Sequence, residues 1–293
     1  MAPRVPDIPA GTDLTGYSVF ITGATAGIGL ETARLYLRMN ASPVYLGIRN
    51  LEKGKQIQQK LLEDKVIKQN NPNADVRLYR LDLASLESVK SFAKGFLAEV
   101  KSLDIAVLNA GVVFFNYVPT IDRMETTFQV NYLSNALLAS YLVPLLTSTA
   151  VSTGKLAHLA FVSSEMQKVG SFGTKTVIPE NENIIDWFND KANHGMDRYN
   201  VSKLLLTAYA NEIASQVDSR QIVVNSMCPG FVYTSLDDNL PFYAKYLVKG
   251  FRYMTAKTPV EGARAVALAT LTGPDGSGKF YANGKVSPYV SPI

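Results

Sequence analysis

In the stretch DRYNVSK, residues 197–203, Tyr199 and Lys203 stand four positions apart, which stacks their side chains on one face of a helix. A phenol beside an ammonium can move a proton. A free tyrosine titrates near about 10, and bringing it to about 7 takes roughly 4 kcal/mol of preferential stabilisation of the phenolate. A lysine one helical turn away is a suitable source. The same spacing arises by chance on many helices, where it marks a surface contact or a packing accident. Its meaning depends on what stands around it.

A second constellation lies near the N-terminus. FITGATAGIGLETARL places Gly23, Gly27 and Gly29, with Thr25, Ala26 and Ile28 between and beside them, at a strand-to-helix turn. Glycines there allow a tight turn and a close backbone approach to a pyrophosphate, whose charge is met by the helix N-terminus. An ordinary strand–helix turn is the plain alternative, but a doubly wound sheet puts its dinucleotide crevice at this first turn. The end of the second strand discriminates between dinucleotides. NAD calls for a carboxylate on the ribose 2′-hydroxyl, whereas an arginine suits a 2′-phosphate. Between Ser42 and Leu51 there is no acid, while Arg49 follows Ile48 and Lys53 lies one turn on. Both facts point to NADP(H).

These residues need a scaffold. YSVFIT (17–22), SPVYLGI (42–48), ADVRLYRLDL (74–83), LDIAVLNAG (103–111), LAHLAFVSS (156–164) and QIVVNSMCPG (221–230) read as strands. Between them fall helical patterns near 27–39, up to about 69, from Ser85, near 125–148 and from about Tyr199. This alternation predicts a single α/β domain over 15–293, preceded by a leader at 1–14. Its mostly parallel, doubly wound Rossmann-type sheet has about seven strands and helices on both faces. Two excursions interrupt the pattern, an insertion at about 165–196 and an aromatic-rich segment at about 235–256. Long excursions in such domains tend to be functional.

The bulk composition excludes several classes. The chain has 293 residues, 47% apolar and 18% charged, with a net charge of +4 and scattered basic residues, so no nucleic-acid footprint is present. Cys228 is the sole cysteine, which rules out an intrachain disulfide and suits a reducing, cytoplasmic setting. The N-terminus has no apolar core of a signal peptide, and no uninterrupted apolar run reaches the roughly 18 residues of a membrane span. With only His158 and His194, a multi-histidine metal site and a Ser–His–Asp triad are not expected. His158, in an apolar strand, reads as a core residue; His194 reads as part of the approach to the Tyr199 helix.

Taken in order, the glycine turn, NAG (109–111), VSS (162–164), YNVSK (199–203) and CPGFVYT (228–234) resemble the short-chain dehydrogenase/reductase family over roughly 15–285. YLGIRNLEKG and FQVNYLS are most similar to its NADP(H)-preferring branch of retinol-dehydrogenase-like and fungal reductases. The resemblance implies a tetrad of Asn131, Ser164, Tyr199 and Lys203, with the register of the motif favouring Ser164 over Ser163. Tyr199 would be the general acid in reduction, and Lys203 would lower its pKa and hold the nicotinamide ribose. Ser164 would bind the substrate oxygen, and Asn131 would anchor a water linking Lys203 to solvent. Asn109, Ala110 and Gly111 match the adenine-side floor, Asp82 and Leu83 the dipeptide beside the adenine, and Pro229, Gly230, Val232 and Thr234 the nicotinamide end. The chain departs from the family at Leu108, where a second asparagine is common, and at Thr25 and Ala26, where NADPH-preferring members often carry a basic residue.

What these residues would do is interconvert a carbonyl and an alcohol. A non-redox use of the same fold, as an epimerase, cyclase or dehydratase, and an NADP(H)-sensing binding protein are the alternatives. Trp187 and Phe188 either line a substrate cavity or pack the insertion. Phe231, Tyr233, Phe242, Tyr243, Tyr246, Phe251 and Tyr253 point to a bulky apolar small-molecule substrate, or pack a lid. PFYAKYLVKGFRYM is amphipathic and basic, yet contact with a membrane surface is not the expected use. Relatives imply a homodimer or homotetramer through the helices near 125–148 and 199–218.

Overall fold

In the computed structural model, which describes residues 5–169, 182–195, 197–232 and 257–289, the apolar runs assemble into one eight-stranded sheet. The strands are β1 (Val19–Thr22), β2 (Val44–Ile48), β3 (Val76–Arg80), β4 (Ile105–Leu108), β5 (Ala157–Val162), β6 (Ile222–Cys228), β7 (Phe280–Ala282) and β8 (Lys285–Ser287). Their order is β3-β2-β1-β4-β5-β6-β7-β8, all parallel except β8, which returns antiparallel on β7. The six apolar runs read as strands become β1 to β6, while β7 and β8 are three-residue runs that offer too little periodicity to be read. The order reverses between β1 and β4. A crevice opens there at the carboxyl ends of the strands, the usual seat of a ligand in such sheets.

Because side chains alternate across a strand, neighbours on β1 serve opposite cores. Phe20 joins Phe92, Phe96, Leu138, Leu142, Phe161 and Leu206 on one face. Val19 and Ile21 join Tyr36, Leu37, Leu46, Val107 and Val266 on the other. The first face is covered by α4 (Leu86–Glu99), α6 (Ser134–Thr153) and α8 (Arg198–Gln216). The second is covered by α1 (Gly27–Arg38) and α9 (Pro259–Ala269), pinned by a 2.5 Å hydrogen bond between the Tyr36 and Thr270 hydroxyls.

Two expectations are modified. The helix expected to reach about 69 divides into α2 (Leu51–Leu62) and α3 (Lys65–Asn70). Asp64 causes the break, since its carboxylate accepts the Val66 and Ile67 amides and also binds Arg34 and Arg38 at 2.7 and 2.8 Å. The helix near 125–148 consists of α5 (Thr126–Phe128), a wide π turn at Gln129–Leu133, and α6. Together these span Thr126–Thr153, long and apolar enough by composition to cross a membrane, yet Leu138, Leu142 and Leu146 are fully buried on the sheet. Within the leader, Val5 and Leu14 are buried, and Asp7 pairs with Arg264 of α9.

Candidate active site

The glycine turn leads from β1 into α1. Gly23 and Gly27 have φ of +70° and +55°, conformations that favour glycine. Gly29 has a different reason: a Cβ there would stand 2.6 Å from Asn109 Nδ2 and 2.7 Å from the Gly23 carbonyl oxygen. Ile28 packs towards Val232 and Gly262, closing the far side of the turn. Ala26, at the head of α1, supplies no side-chain cap, and no acidic residue stands in the first turn. The amides of a twelve-residue helix therefore face the crevice beside Thr25 with no side-chain acceptor of their own, which fits an anionic pyrophosphate. Gly29→Ala is expected to weaken binding of a nicotinamide dinucleotide by at least about tenfold in an equilibrium fluorescence titration, since the Gly23 backbone cannot yield. Unchanged affinity would show that the turn does not carry the cofactor.

The floor of the crevice is tied to that turn. Thr22 Oγ1 accepts the Asn109 and Ala110 amides, and Asn109 Nδ2 donates to the Thr22 carbonyl. Asp82 receives the Ala84 amide, Leu83 is buried, and the Leu83 carbonyl accepts Ser134 Oγ at 2.7 Å. Arg49 and Lys53 are exposed at the end of β2 and in the first turn of α2, where Asn50 caps the Lys53 amide.

Asn131 and Lys203 meet at Gly111, and the Tyr199 ring stands beside Lys203. Asn131 sits in the π turn, fully buried, a distortion common at functional sites. Its Oδ1 accepts the Val112 amide at 2.8 Å, and its Nδ2 donates to the Val112 carbonyl at 2.9 Å and Ser202 Oγ at 3.0 Å. A Cβ on Gly111 would lie 3.2 Å from Asn131 Oδ1 and 3.3 Å from Lys203 Nζ, so glycine lets these groups approach without displacing either. Lys203 Nζ donates to the Val162 carbonyl at 2.7 Å and stands 5.8 Å from the centre of the Tyr199 ring. Burial pushes the Lys203 ammonium down to about 8, opposed by the Cys228 thiol. The Asn131 amide thus holds the loop and the helix that aim Lys203, and is a positioning group here.

The two serines after β5 have different surroundings. Ser163 is buried, donating to the Lys203 carbonyl at 3.0 Å and bonded to Thr207 Oγ1 at 2.8 Å, so it fastens β5 to α8. Ser164 is half-buried at the strand end, its Oγ accepting the Met166 amide at 3.2 Å. Of the pair, Ser163 is committed to packing and Ser164 retains solvent access. Pro229 is buried, Gly230 has a φ of +87°, and Val232 is buried in a bridge to Lys257, while Thr234 lies outside the described residues.

Neither histidine joins the site. His158 Nε2 bonds the Thr272 carbonyl at 2.9 Å, and burial lowers its pKa. His194 Nε2 bonds the Phe115 carbonyl at 3.1 Å. Phe188 is buried, stacked 4.6 Å from Phe128 and clustered with Val201 and Leu205, so it packs the insertion and does not line a cavity. Tyr233, Phe242, Tyr243, Tyr246, Phe251 and Tyr253 lie outside the described residues, as does the amphipathic stretch around them. Glu125, Arg198 and Lys257 are buried charged side chains near the site that no local motif announces.

A family model described as short chain dehydrogenase matches residues 18–176. A short chain dehydrogenase of Arthrobotrys oligospora is 58% identical over 288 residues, covering 98% of this chain and 89% of that protein. The short chain dehydrogenase yanD of Aspergillus niger is 35% identical over 284 residues, covering 96% and 86%. Among solved structures, the RhlG/NADP active-site complex of Pseudomonas aeruginosa superposes with a TM-score of 0.68 at 21% identity, covering 94% and 97%. Fold, motif order and sequence similarity agree: this chain belongs to the short-chain dehydrogenase/reductase family of oxidoreductases.

Proposed function

We propose that the protein is an NADP(H)-dependent reductase that interconverts a ketone or aldehyde and its alcohol on a bulky apolar small molecule. The observation that carries this reading is the buried Lys203 ammonium, held between Val162, Gly111 and the Tyr199 ring. When bound, NADPH supplies a hydride. This chain's residues handle the rest. Ser164 Oγ donates a hydrogen bond to the carbonyl oxygen and stabilises its growing charge. Tyr199 Oη delivers the proton to that oxygen. The Lys203 ammonium favours the phenolate left behind, and Asn131 keeps Lys203 and the 111–112 loop in register. The resemblance gives Asn131 the further task of holding a water for proton return.

Substrate class rests on exposed apolar side chains that flank the site in sequence. Met166, Val169, Ile184 and Phe231 are exposed at the ends of segments that leave Ser164, enter the Tyr199 helix or follow Gly230. Relatives in filamentous fungi support a place in specialised metabolism. For the cofactor, Arg49 and Lys53 would take the 2′-phosphate, and the NADP complex of a structural neighbour is consistent with that choice. Arg49→Asp is expected to lower the ratio of kcat/KM for NADPH over NADH by about 10²-fold. An equal effect on both cofactors would refute the contact. A panel of carbonyl compounds scored by NADPH consumption tests the substrate class; turnover confined to small polar carbonyls would overturn it.

We also assign a cytoplasmic setting, on the lone buried thiol of Cys228, and a homodimer or homotetramer. Helix α6 carries no charged side chain, and its outward residues include Ser140, Pro144, Ser148 and Val151. Light scattering after size-exclusion chromatography tests the assembly, which a monomer at micromolar concentration would exclude.

A further inference from the structure

Arg198 immediately precedes Tyr199, and it is only 3% exposed. An arginine in the first turn of a helix gains nothing from the helix dipole, which favours anions there. Burial also costs it its hydration. Its surroundings explain its place. The guanidinium carbon lies 4.5 Å from the centre of the Phe188 ring and 5.8 Å from that of Trp187. Nη2 donates to the Asn193 carbonyl at 2.9 Å. Nε, which makes no hydrogen bond among the described residues, faces Glu125 Oε2 at 3.9 Å.

Glu125 is fully buried and has a second duty. Its Oε1 accepts the Thr127 amide at 3.0 Å and its Oε2 the Phe128 amide at 2.8 Å. It therefore caps α5, the helix that runs directly into the π turn holding Asn131. The Glu125 amide donates to Asn189 Oδ1, and Phe128 stacks on Phe188, so the 182–195 segment is clamped between the two charges. One ion pair thus joins the N-terminus of the helix leading to Asn131 and the N-terminus of the helix starting at Tyr199.

We propose that Arg198 and Glu125 are a positioning pair that sets the placement of Tyr199 against Lys203 and Asn131, with the 182–195 segment as its filling. The inference rests on the proton-transfer role proposed above. Removing Arg198 leaves Glu125 buried without its cation, so a single neutral variant loses stability as well as alignment. Neutralising both charges separates the two effects.

The test compares Arg198→Met, Glu125→Gln and the double variant with the parent chain. NADPH affinity is followed by fluorescence, folding by thermal melts, and turnover with 9,10-phenanthrenequinone as the carbonyl probe. Arg198→Met is expected to keep NADPH affinity and probe KM within about threefold and to lower kcat at least about tenfold. The double variant is expected to regain thermal stability but not kcat, and to be no slower than Arg198→Met alone, as coupled residues behave. Should Arg198→Met fail to fold, the double variant reads the same outcome. Recovery of kcat along with stability, or kcat within about twofold of the parent in both variants, would overturn the inference. A parent chain that turns over no probe would count against the proposed activity. The near-ultraviolet phenolate titration of Tyr199, isolated by subtracting Tyr199→Phe, then decides. A higher apparent pKa in the double variant supports positioning, and an unchanged one refutes it.

Discussion

Tyr199→Phe is expected to lower kcat for carbonyl reduction by about 10²–10⁴-fold while leaving NADPH affinity within about threefold. The variant keeps the ring and its packing, so only the hydroxyl is lost. Without a donor, the negative charge that builds on the substrate oxygen must be relieved by water, which has a poorly matched pKa. A thousandfold loss corresponds to about 4 kcal/mol of barrier. Ser164 would still polarise the oxygen, which is why residual turnover should persist. Steady-state rates with a substrate found in the carbonyl panel, alongside cofactor titration, provide the check. Turnover within tenfold of the parent would remove Tyr199 from the chemistry and with it the proposed acid–base role.

Lys203→Met should produce the second large effect, with opposite signs on activity and stability. Lys203 is 4% exposed, and its ammonium is pushed from 10.5 to about 8 by burial. Between those values the unfolded chain holds a proton that the folded chain has released, so this group makes stability rise with pH across that window. Below about 8 its full cost applies, on the order of 3 kcal/mol. The variant escapes that cost but leaves the Val162 carbonyl without its donor, a loss of about 1 kcal/mol. Near neutral pH, Lys203→Met is therefore expected to be more stable than the parent by about 2 kcal/mol, an advantage that shrinks as pH rises above about 8 and reverses before about 10.5. Its kcat should fall by at least about 10²-fold, because nothing then favours the phenolate. In the parent, kcat/KM for reduction should decline as pH rises through about 8, where the free enzyme loses this charge. Denaturant melts of both chains across the pH range decide the matter. A variant less stable at neutral pH, with a gap that does not vary with pH, would contradict the burial account.

Much of the architecture was legible because it depends on short-range periodicity. VFIT and VYLGI are buried on every side, and such runs between amphipathic stretches can only be strands of a covered sheet. The glycine turn was legible for a similar reason at Gly23 and Gly27, whose left-handed backbone angles are a local property, while Gly29 answers to Asn109, just past the end of another strand. The break at Asp64 was missed because a helical pattern continues through it. What stops the helix is a carboxylate held by Arg34 and Arg38 from a different helix. The π turn was missed too, as FQVNYLS reads like any apolar helix until Asn131 is seen bonded to Val112 and Ser202.

The candidate site divides along the same line. Residue types and spacing alone supplied the Tyr199–Lys203 pair, the glycine turn, and the absence of an acid between Ser42 and Leu51. Those are properties of a few consecutive residues. Tertiary structure alone decided that Lys203 is buried enough to shift its pKa, and that Ser163 is consumed by α8 while Ser164 stays half-buried at the strand end. It also turned Phe188 inward and brought Arg198 to Glu125, which stands far from it in sequence. Burial and charge pairing are set by whatever the fold brings alongside a side chain. No local pattern encodes that neighbour.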